Sequence, residues 1–131
     1  IQIHREGIMK KILVVDDEEP LLALMQRVLS ARYQVVMATD GEAALRALTD
    51  PAHSIRLVIL DLTMPEMDGP ALMTRLRAQH AGLPVAVMSG LNEEEAIRVL
   101  KGQRPDAYLR KPVRLAQLTA VVDRLLAPVV A

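Results

Sequence analysis

Five polar side chains, each at the end of a short apolar run, are the residues of this 131-residue chain whose types and spacing suggest chemistry. They are Asp16, Asp17, Asp61, Ser89 and Lys111. An isolated Asp after a strand is most often a turn or helix-cap residue, and an isolated Ser or Lys is equally ordinary. Their shared position after apolar runs nevertheless predicts that all five side chains meet at one edge of a sheet.

Three carboxylates in one crevice require a cation, because two like charges ~4 Å apart repel by roughly 4 kcal/mol at an effective dielectric constant near 20. A hard divalent ion held by carboxylates, a carbonyl oxygen and waters would relieve this repulsion. Mg²⁺ in such a setting usually takes a phosphate oxygen as a further ligand. Ser89 would then hydrogen-bond the phosphate, and Lys111 would neutralise its charge. The set therefore predicts Mg²⁺-dependent phosphoryl transfer, in which positioning and charge neutralisation supply most of the catalysis.

The elements that must position these side chains are short apolar strands. Residues 12–15, 57–60 and 85–88 are continuous apolar runs rich in β-branched residues, which is typical of strands buried on both faces of a parallel sheet. Residues 35–38 and 107–109 are shorter apolar segments between polar or turn residues. They are predicted to form two further strands, which makes five.

A segment with helical spacing of apolar residues follows each strand. These segments begin, in order, near Pro20, Asp40, Asp68, Asn92 and Arg114. Asp68 is a predicted N-cap, Asn92 begins a predicted capping box, and Gly102 is predicted to end the fourth helix. Strict alternation of strand and helix predicts an α/β fold: a doubly wound parallel sheet with helices on both faces and right-handed crossovers.

The composition favours one globular domain and excludes several classes of protein. Hydrophobic residues make up 51% of the chain, and 16 basic residues balance 16 acidic ones, so no charge excess attracts nucleic acid or anionic lipid. Two tyrosines are the only aromatic residues, too few for a base-stacking platform. The absence of Cys excludes disulfides and thiolate metal sites and favours a cytoplasmic location. No apolar run reaches the roughly 18 residues of a membrane span.

The predicted domain boundaries depend on how the first and last residues of the chain are interpreted. Met9 resembles a natural start, so residues 1–8 are interpreted as an N-terminal extension, native or cloning-derived, without the apolar core of a secretory signal. The domain is predicted to cover residues 9–128. Residues 129–131 are interpreted as a C-terminal tail.

Two classes of protein are compatible with the chemistry. In the first, Asp61 itself accepts the phosphoryl group, and the phosphorylated protein is a signal and not an enzyme. In the second, the chain is a Mg²⁺-dependent phosphatase of the haloacid dehalogenase type, which uses similar residues in a different order. That family begins with Asp-x-Asp after its first strand, whereas Asp16 and Asp17 are adjacent here, and we expect no second domain to enclose a small substrate.

Four sequence blocks resemble the response regulator receiver domain of two-component and phosphorelay signalling. They are KILVVDDEE, LVILDLTMPEMDG, PVAVMSG and YLRKP. Their order and spacing are also similar, with 44 residues from Asp17 to Asp61, 28 more to Ser89 and 22 more to Lys111. The resemblance covers residues 10–126. It implies the flavodoxin-like receiver fold, in which five parallel strands in the order 2-1-3-4-5 are accompanied by five helices.

The resemblance implies a role for each matched residue around the acceptor. Asp61 would take a phosphoryl group from a phosphohistidine on a sensor histidine kinase or a histidine phosphotransfer domain. Asp17 would bind Mg²⁺ directly, and Asp16 would bind it through water or as a secondary ligand. Asp61 and the backbone carbonyl of Thr63 would complete the protein's share of the metal ligands.

The resemblance also implies a switch. Lys111 would pair with the phosphoryl oxygens, and the bond to Pro112 would be cis. Ser89 would move toward the phosphoryl group, and Tyr108 would pack inward behind it. The fourth helix, the fifth strand and the fifth helix would form the output surface.

The segments MSGLNEEEA and YLRKP are more similar to the matching segments of receivers in hybrid sensor histidine kinases than to those of receivers in transcription factors. No output module follows the last predicted helix, so the chain is expected to be a single-domain regulator or the receiver of a longer protein. In either case it would act on an unknown protein target, without direct contact to nucleic acid or membrane. Nothing in the sequence supports dimerisation.

Overall fold

Strand and helix alternate five times in the computed structural model, which describes residues 9–65 and 67–127. The strands are β1 (Lys11–Val15), β2 (Gln34–Ala38), β3 (Ile55–Asp61), β4 (Val85–Ser89) and β5 (Ala107–Arg110). The helices are α1 (Glu19–Leu29), α2 (Gly41–Thr49), α3 (Gly69–Gln79), α4 (Glu93–Val99) and α5 (Leu115–Leu125). All ten predicted elements are therefore present. The predicted extension over residues 1–8 and the tail over 129–131 lie outside the described residues.

The strands form one parallel sheet in the order β2-β1-β3-β4-β5, which confirms the predicted fold. The register aligns the carboxyl ends of the strands, since Val15 lies opposite Leu60, and Asp61 lies opposite Met88. Ser89 lies opposite Arg110 in the same way. The sheet therefore brings the residues that follow β1, β3, β4 and β5 to one edge.

Each face of the sheet carries its own apolar core. On one face, Ile12, Val14 and Ile59 pack with buried residues of α1 and α5. On the other face, Leu13 and Leu60 pack with buried residues of α2 and α3. Because β1, β3 and β4 are covered on both faces, nearly every side chain along them is buried, which explains their continuous apolar sequences.

The helix ends are fixed by the residues that the sequence indicated. The side chains of Asp40 and Asp68 accept hydrogen bonds from the backbone of Ala43 and Ala71, as N-caps do. Asn92 and Glu95 form a complete capping box at the start of α4. The chain leaves this helix through a turn at Gly102, whose φ of +85° suits glycine. None of the helices in residues 9–65 and 67–127 has the length and apolarity needed to cross a membrane.

A cluster of polar side chains connects α5 to the segment that follows α1. The Tyr33 hydroxyl donates a hydrogen bond of 2.7 Å to Oδ1 of Asp123, and Arg32 pairs with the other oxygen of that carboxylate. Burial and this hydrogen bond raise the pKa of Tyr33 to about 12. The hydrogen bond from Tyr33 holds the pKa of Asp123 below its ordinary value of 3.8.

We expect Asp123→Asn to lower the free energy of unfolding by about 1 kcal/mol near neutral pH, because it removes the charge that pairs with Arg32 and weakens the hydrogen bond from Tyr33. Since the pKa of Asp123 is depressed in the folded protein, its contribution is present above pH 3.8 and is lost as the pH falls below that value. Urea denaturation near pH 7 and near pH 3 measures both effects. Asp40→Asn, which keeps its N-cap acceptor, is the matched control. If Asp123→Asn lost as much free energy of unfolding near pH 3 as near pH 7, relative to the native chain, this account would be contradicted.

Candidate functional site

Three polar side chains are fully buried within the part of the chain that the structure describes: Asp16, Asp61 and Ser89. All three follow or end strands of the sheet, and all three were singled out from the sequence. Buried polar groups are costly unless they are paired. Their concentration at one edge of an otherwise apolar sheet therefore marks this edge as a functional site.

Lys111 joins two of these buried groups. Its ammonium lies 3.0 Å from Oδ2 of Asp61 and 3.6 Å from Oδ2 of Asp16. It also lies 2.9 Å from Oε1 of Glu18, which comes from the start of α1. Burial disfavours the ammonium, but hydrogen bonds to Glu18 and Asp61 outweigh burial and hold the pKa of Lys111 above its ordinary value. Lys111 is therefore a permanent positive charge among three carboxylates.

The two oxygens of Asp61 have different partners. Oδ1 accepts a hydrogen bond of 2.9 Å from the backbone N–H of Thr63 and one of 2.6 Å from the Thr63 hydroxyl. Oδ2 accepts the hydrogen bond from Lys111. The Asp61 carboxylate is therefore held in one orientation, with Oδ2 on the side of the ammonium.

Asp16 is the electrostatically strained member of the site. Its Oδ1 accepts a hydrogen bond of 2.8 Å from the backbone of Glu18, whereas its buried Oδ2 has no hydrogen-bond partner among the described residues. Burial, assisted by the neighbouring charge of Asp61, raises the pKa of Asp16 to about 6. A buried carboxylate oxygen that accepts no hydrogen bond is the feature that a bound cation would satisfy.

The donor set fits a hard divalent cation. Asp16, Glu18 and Asp61 each offer a carboxylate oxygen, and these atoms lie within 4.8 Å of one another. Mg²⁺ prefers oxygen ligands of this kind, together with waters and phosphate oxygens. One ammonium balances only part of the charge of three carboxylates, so a cation would also relieve their repulsion.

The residues of the predicted switch surround β4 and β5. The Ser89 hydroxyl oxygen accepts a hydrogen bond of 2.9 Å from the backbone of Leu91. Tyr108 is half-buried, and its hydroxyl donates to the carbonyl oxygens of Leu91 and of Ser89, the latter at 3.3 Å. The bond between Lys111 and Pro112 is cis. Tyr108 thus contacts the loop that begins at Ser89.

The structure brings together most of the residues singled out from the sequence, with one difference. Asp17 is exposed, and the close group of carboxylates among the described residues contains Glu18 in its place. Thr63 contacts Asp61 through its hydroxyl and its N–H. The sequence reasoning missed Glu18, and the only available signal was that two further acidic residues follow Asp16 and Asp17.

Comparisons with known proteins agree in sequence and in fold. The family model described as response regulator receiver domain matches residues 12–123. The transcriptional regulatory protein PrrA of Mycobacterium tuberculosis is 37% identical over 118 residues, which cover 88% of this chain and 49% of PrrA. Sensor kinase CckA of Brucella abortus is 34% identical over 116 residues, which cover 88% of this chain and 12% of that kinase. The chain thus spans about half the length of PrrA and a smaller share of CckA.

Among solved structures, a response regulator receiver domain protein from Clostridium thermocellum is similar to this chain. The two share 26% sequence identity with a TM-score of 0.79. The alignment covers 90% of this chain and 94% of the other. The agreement extends over nearly the whole of both chains, so it concerns the fold as a whole.

We expect Asp16→Asn to stabilise the metal-free protein by about 2 kcal/mol near neutral pH and to weaken stabilisation by Mg²⁺. Because the pKa of Asp16 is raised to about 6 in the folded protein, ionisation of this group lowers stability as the pH rises from about 3.8 to about 6. The amide removes that penalty and also removes the anionic oxygen a cation needs. Thermal unfolding with a chelator and with Mg²⁺ measures both effects. A variant less stable than the native chain without metal would contradict the assignment.

Proposed function

Because this chain belongs to the family of response regulator receiver domains, we propose that Asp61 is its phosphoacceptor. The chain is a signalling domain of two-component systems, and neither the family match nor the relatives support the haloacid dehalogenase alternative. The observation that carries the assignment is the contact between Asp61 and Lys111: a buried carboxylate has one oxygen held by Thr63 and the other 3.0 Å from an ammonium.

The geometry supports a direct displacement at phosphorus. Oδ2 of Asp61, which faces Lys111, attacks the phosphorus of a phosphohistidine on a partner protein. The new O–P bond forms as the P–N bond breaks, and the bonding electron pair leaves with the imidazole. Lys111 neutralises charge on the transferred oxygens, and the hydrogen bonds from Thr63 to Oδ1 hold the carboxylate in one orientation. The product is a mixed anhydride that water later hydrolyses to inorganic phosphate.

The acidic cluster is the proposed Mg²⁺ site. Asp16 and Asp61 would hold the ion, and the family resemblance adds Asp17 and the backbone carbonyl of Thr63. When bound, Mg²⁺ neutralises the carboxylates and the phosphoryl oxygens during transfer. The domain would promote only its own phosphorylation and dephosphorylation, with no separate substrate.

The proposed partners follow from this chemistry. The phosphoryl donor is a sensor histidine kinase or a histidine phosphotransfer domain. The downstream target is a protein that contacts α4, β5 and α5. The relatives include a transcriptional regulator and a sensor kinase, which is compatible with a receiver attached to either kind of protein. The proposed location is the cytoplasm, where ATP supplies such kinases. In this proposal the domain acts through contacts with proteins, without direct contact to nucleic acid or membrane.

The switch is proposed to run through Ser89 and Tyr108. Ser89 would exchange its hydrogen bond with Leu91 for one to the phosphoryl group. Because Tyr108 contacts the carbonyl oxygens of both Ser89 and Leu91, movement of this loop would be transmitted to β5 and to the surface formed by α4, β5 and α5.

Incubation with a small-molecule phosphodonor and Mg²⁺ tests the acceptor. We expect the intact mass of the native chain to rise by one phosphoryl group and that of Asp61→Asn to stay unchanged, because the amide is not a nucleophile of comparable strength. Omission of Mg²⁺ should abolish the gain. Asp68→Asn, which keeps its N-cap acceptor at an exposed position, is the matched control and should be labelled normally. Equal labelling of Asp61→Asn would refute the assignment.

Hydrogen exchange tests the coupling between Tyr108 and the loop after Ser89. We expect Tyr108→Phe to speed exchange of the amides of residues 90–92 by about fivefold, because a neutral hydrogen bond contributes about 1 kcal/mol. Labelling of Asp61 should be unaffected. Tyr33→Phe, at the Asp123 cluster, removes a hydroxyl elsewhere and should leave this loop unchanged. Unaltered exchange in Tyr108→Phe would show that the hydroxyl does not hold the loop.

A further inference from the structure

Glu18 is a carboxylate in the site that the proposed reaction does not use. It occupies the N-cap position of α1, but its side chain makes no capping hydrogen bond with the described backbone. Its Oε1 instead accepts a hydrogen bond of 2.9 Å from the ammonium of Lys111. The position of this side chain is therefore explained by Lys111 and not by helix capping.

Glu18 and Asp61 contact the same ammonium at nearly equal distances. Lys111 lies 2.9 Å from Glu18 and 3.0 Å from Asp61, and it has three N–H donors in all. The Glu18 side chain is 58% exposed, whereas that of Asp61 is 1% exposed. Glu18 thus approaches the buried site from its solvent side, which is the side from which a phosphodonor must arrive.

The charge of Glu18 has opposite consequences for the two ligands of the site. A divalent cation is attracted by an additional carboxylate oxygen within 4.8 Å of those of Asp16 and Asp61. A phosphoryl group is repelled by the same charge, and it must also compete with Glu18 for the N–H groups of Lys111. One side chain would therefore strengthen cation binding and weaken the hold on a phosphoryl group.

We propose that Glu18 is a positioning residue that draws the ammonium of Lys111 toward solvent, so that the site binds Mg²⁺ more tightly and binds the oxygens of a phosphoryl group less tightly. This role rests on the proposed function of Asp61. Glu18 acts through Lys111 and through its charge, and it forms no bond to the transferred group.

Two titrations of Glu18→Gln test the proposal. The substitution removes the charge and keeps the size of the side chain. Calorimetric titration with Mg²⁺ alone measures cation affinity, and titration with beryllofluoride, a mimic of the phosphoryl group, is carried out at saturating Mg²⁺. We expect the Kd for Mg²⁺ to rise about threefold and the Kd for beryllofluoride to fall about threefold, the range of a partly exposed charge pair. A merely structural role would not move the two constants in opposite directions.

Glu19→Gln is the matched control, because Glu19 is exposed in the first turn of α1 and lies outside the close carboxylate group. It should leave both constants within about 1.5-fold of the native values. Shifts of the same sign in Glu18→Gln, unchanged constants, or equal shifts in Glu19→Gln would overturn the role of Glu18 alone. Failure of the native chain to bind beryllofluoride would overturn the acceptor assignment and the role of Glu18 with it.

Discussion

The buried carboxylates of Asp16 and Asp61 share one edge of the sheet because the ammonium of Lys111 lies between them. Two desolvated like charges would otherwise repel strongly. The compensation is incomplete, since the pKa of Asp16 is still raised to about 6 and one of its buried oxygens has no hydrogen bond from the described residues. The site is therefore prepared for a second cation, at a cost in stability that the apolar cores on both faces of the sheet must offset.

The parallel sheet makes this contact possible by supplying each charge from a different strand. Asp16 follows β1, Asp61 ends β3 and Lys111 follows β5, although 50 residues separate the last two in the chain. The backbone N–H of Lys111 also donates to the carbonyl of Ser89, which fixes the backbone of Lys111 relative to β4. Because the strands are buried on both faces, the groups are held on rigid backbone while the loops beyond them remain on the surface.

Much of the fold and part of the site could be predicted from the sequence, for identifiable reasons. Buried parallel strands require continuous apolar runs, and helix starts require cap residues such as Asp40 and Asp68, so local patterns located the elements. The strand order came only from family resemblance, because local patterns do not encode it. The direction of the Glu18 side chain could not be predicted, since it depends on a contact with Lys111 93 residues away. The hydrogen bond from Tyr33 to Asp123 could not be predicted either, because it also joins residues far apart in the chain.

Lys111 directly follows β5. In the proposed function its contact with Asp61 would therefore serve both phosphoryl transfer and transmission of the signal to the output surface. Phosphorylation of Asp61 would replace a single negative charge with a group of greater charge and more acceptor oxygens. Lys111 would then redistribute its hydrogen bonds among Asp16, Glu18 and the new group. Lys111 continues directly from the strand that carries Tyr108, so this redistribution would act on the output surface itself. Ser89 reaches the same surface from β4, and the two routes would converge on the carbonyl oxygens that the Tyr108 hydroxyl contacts.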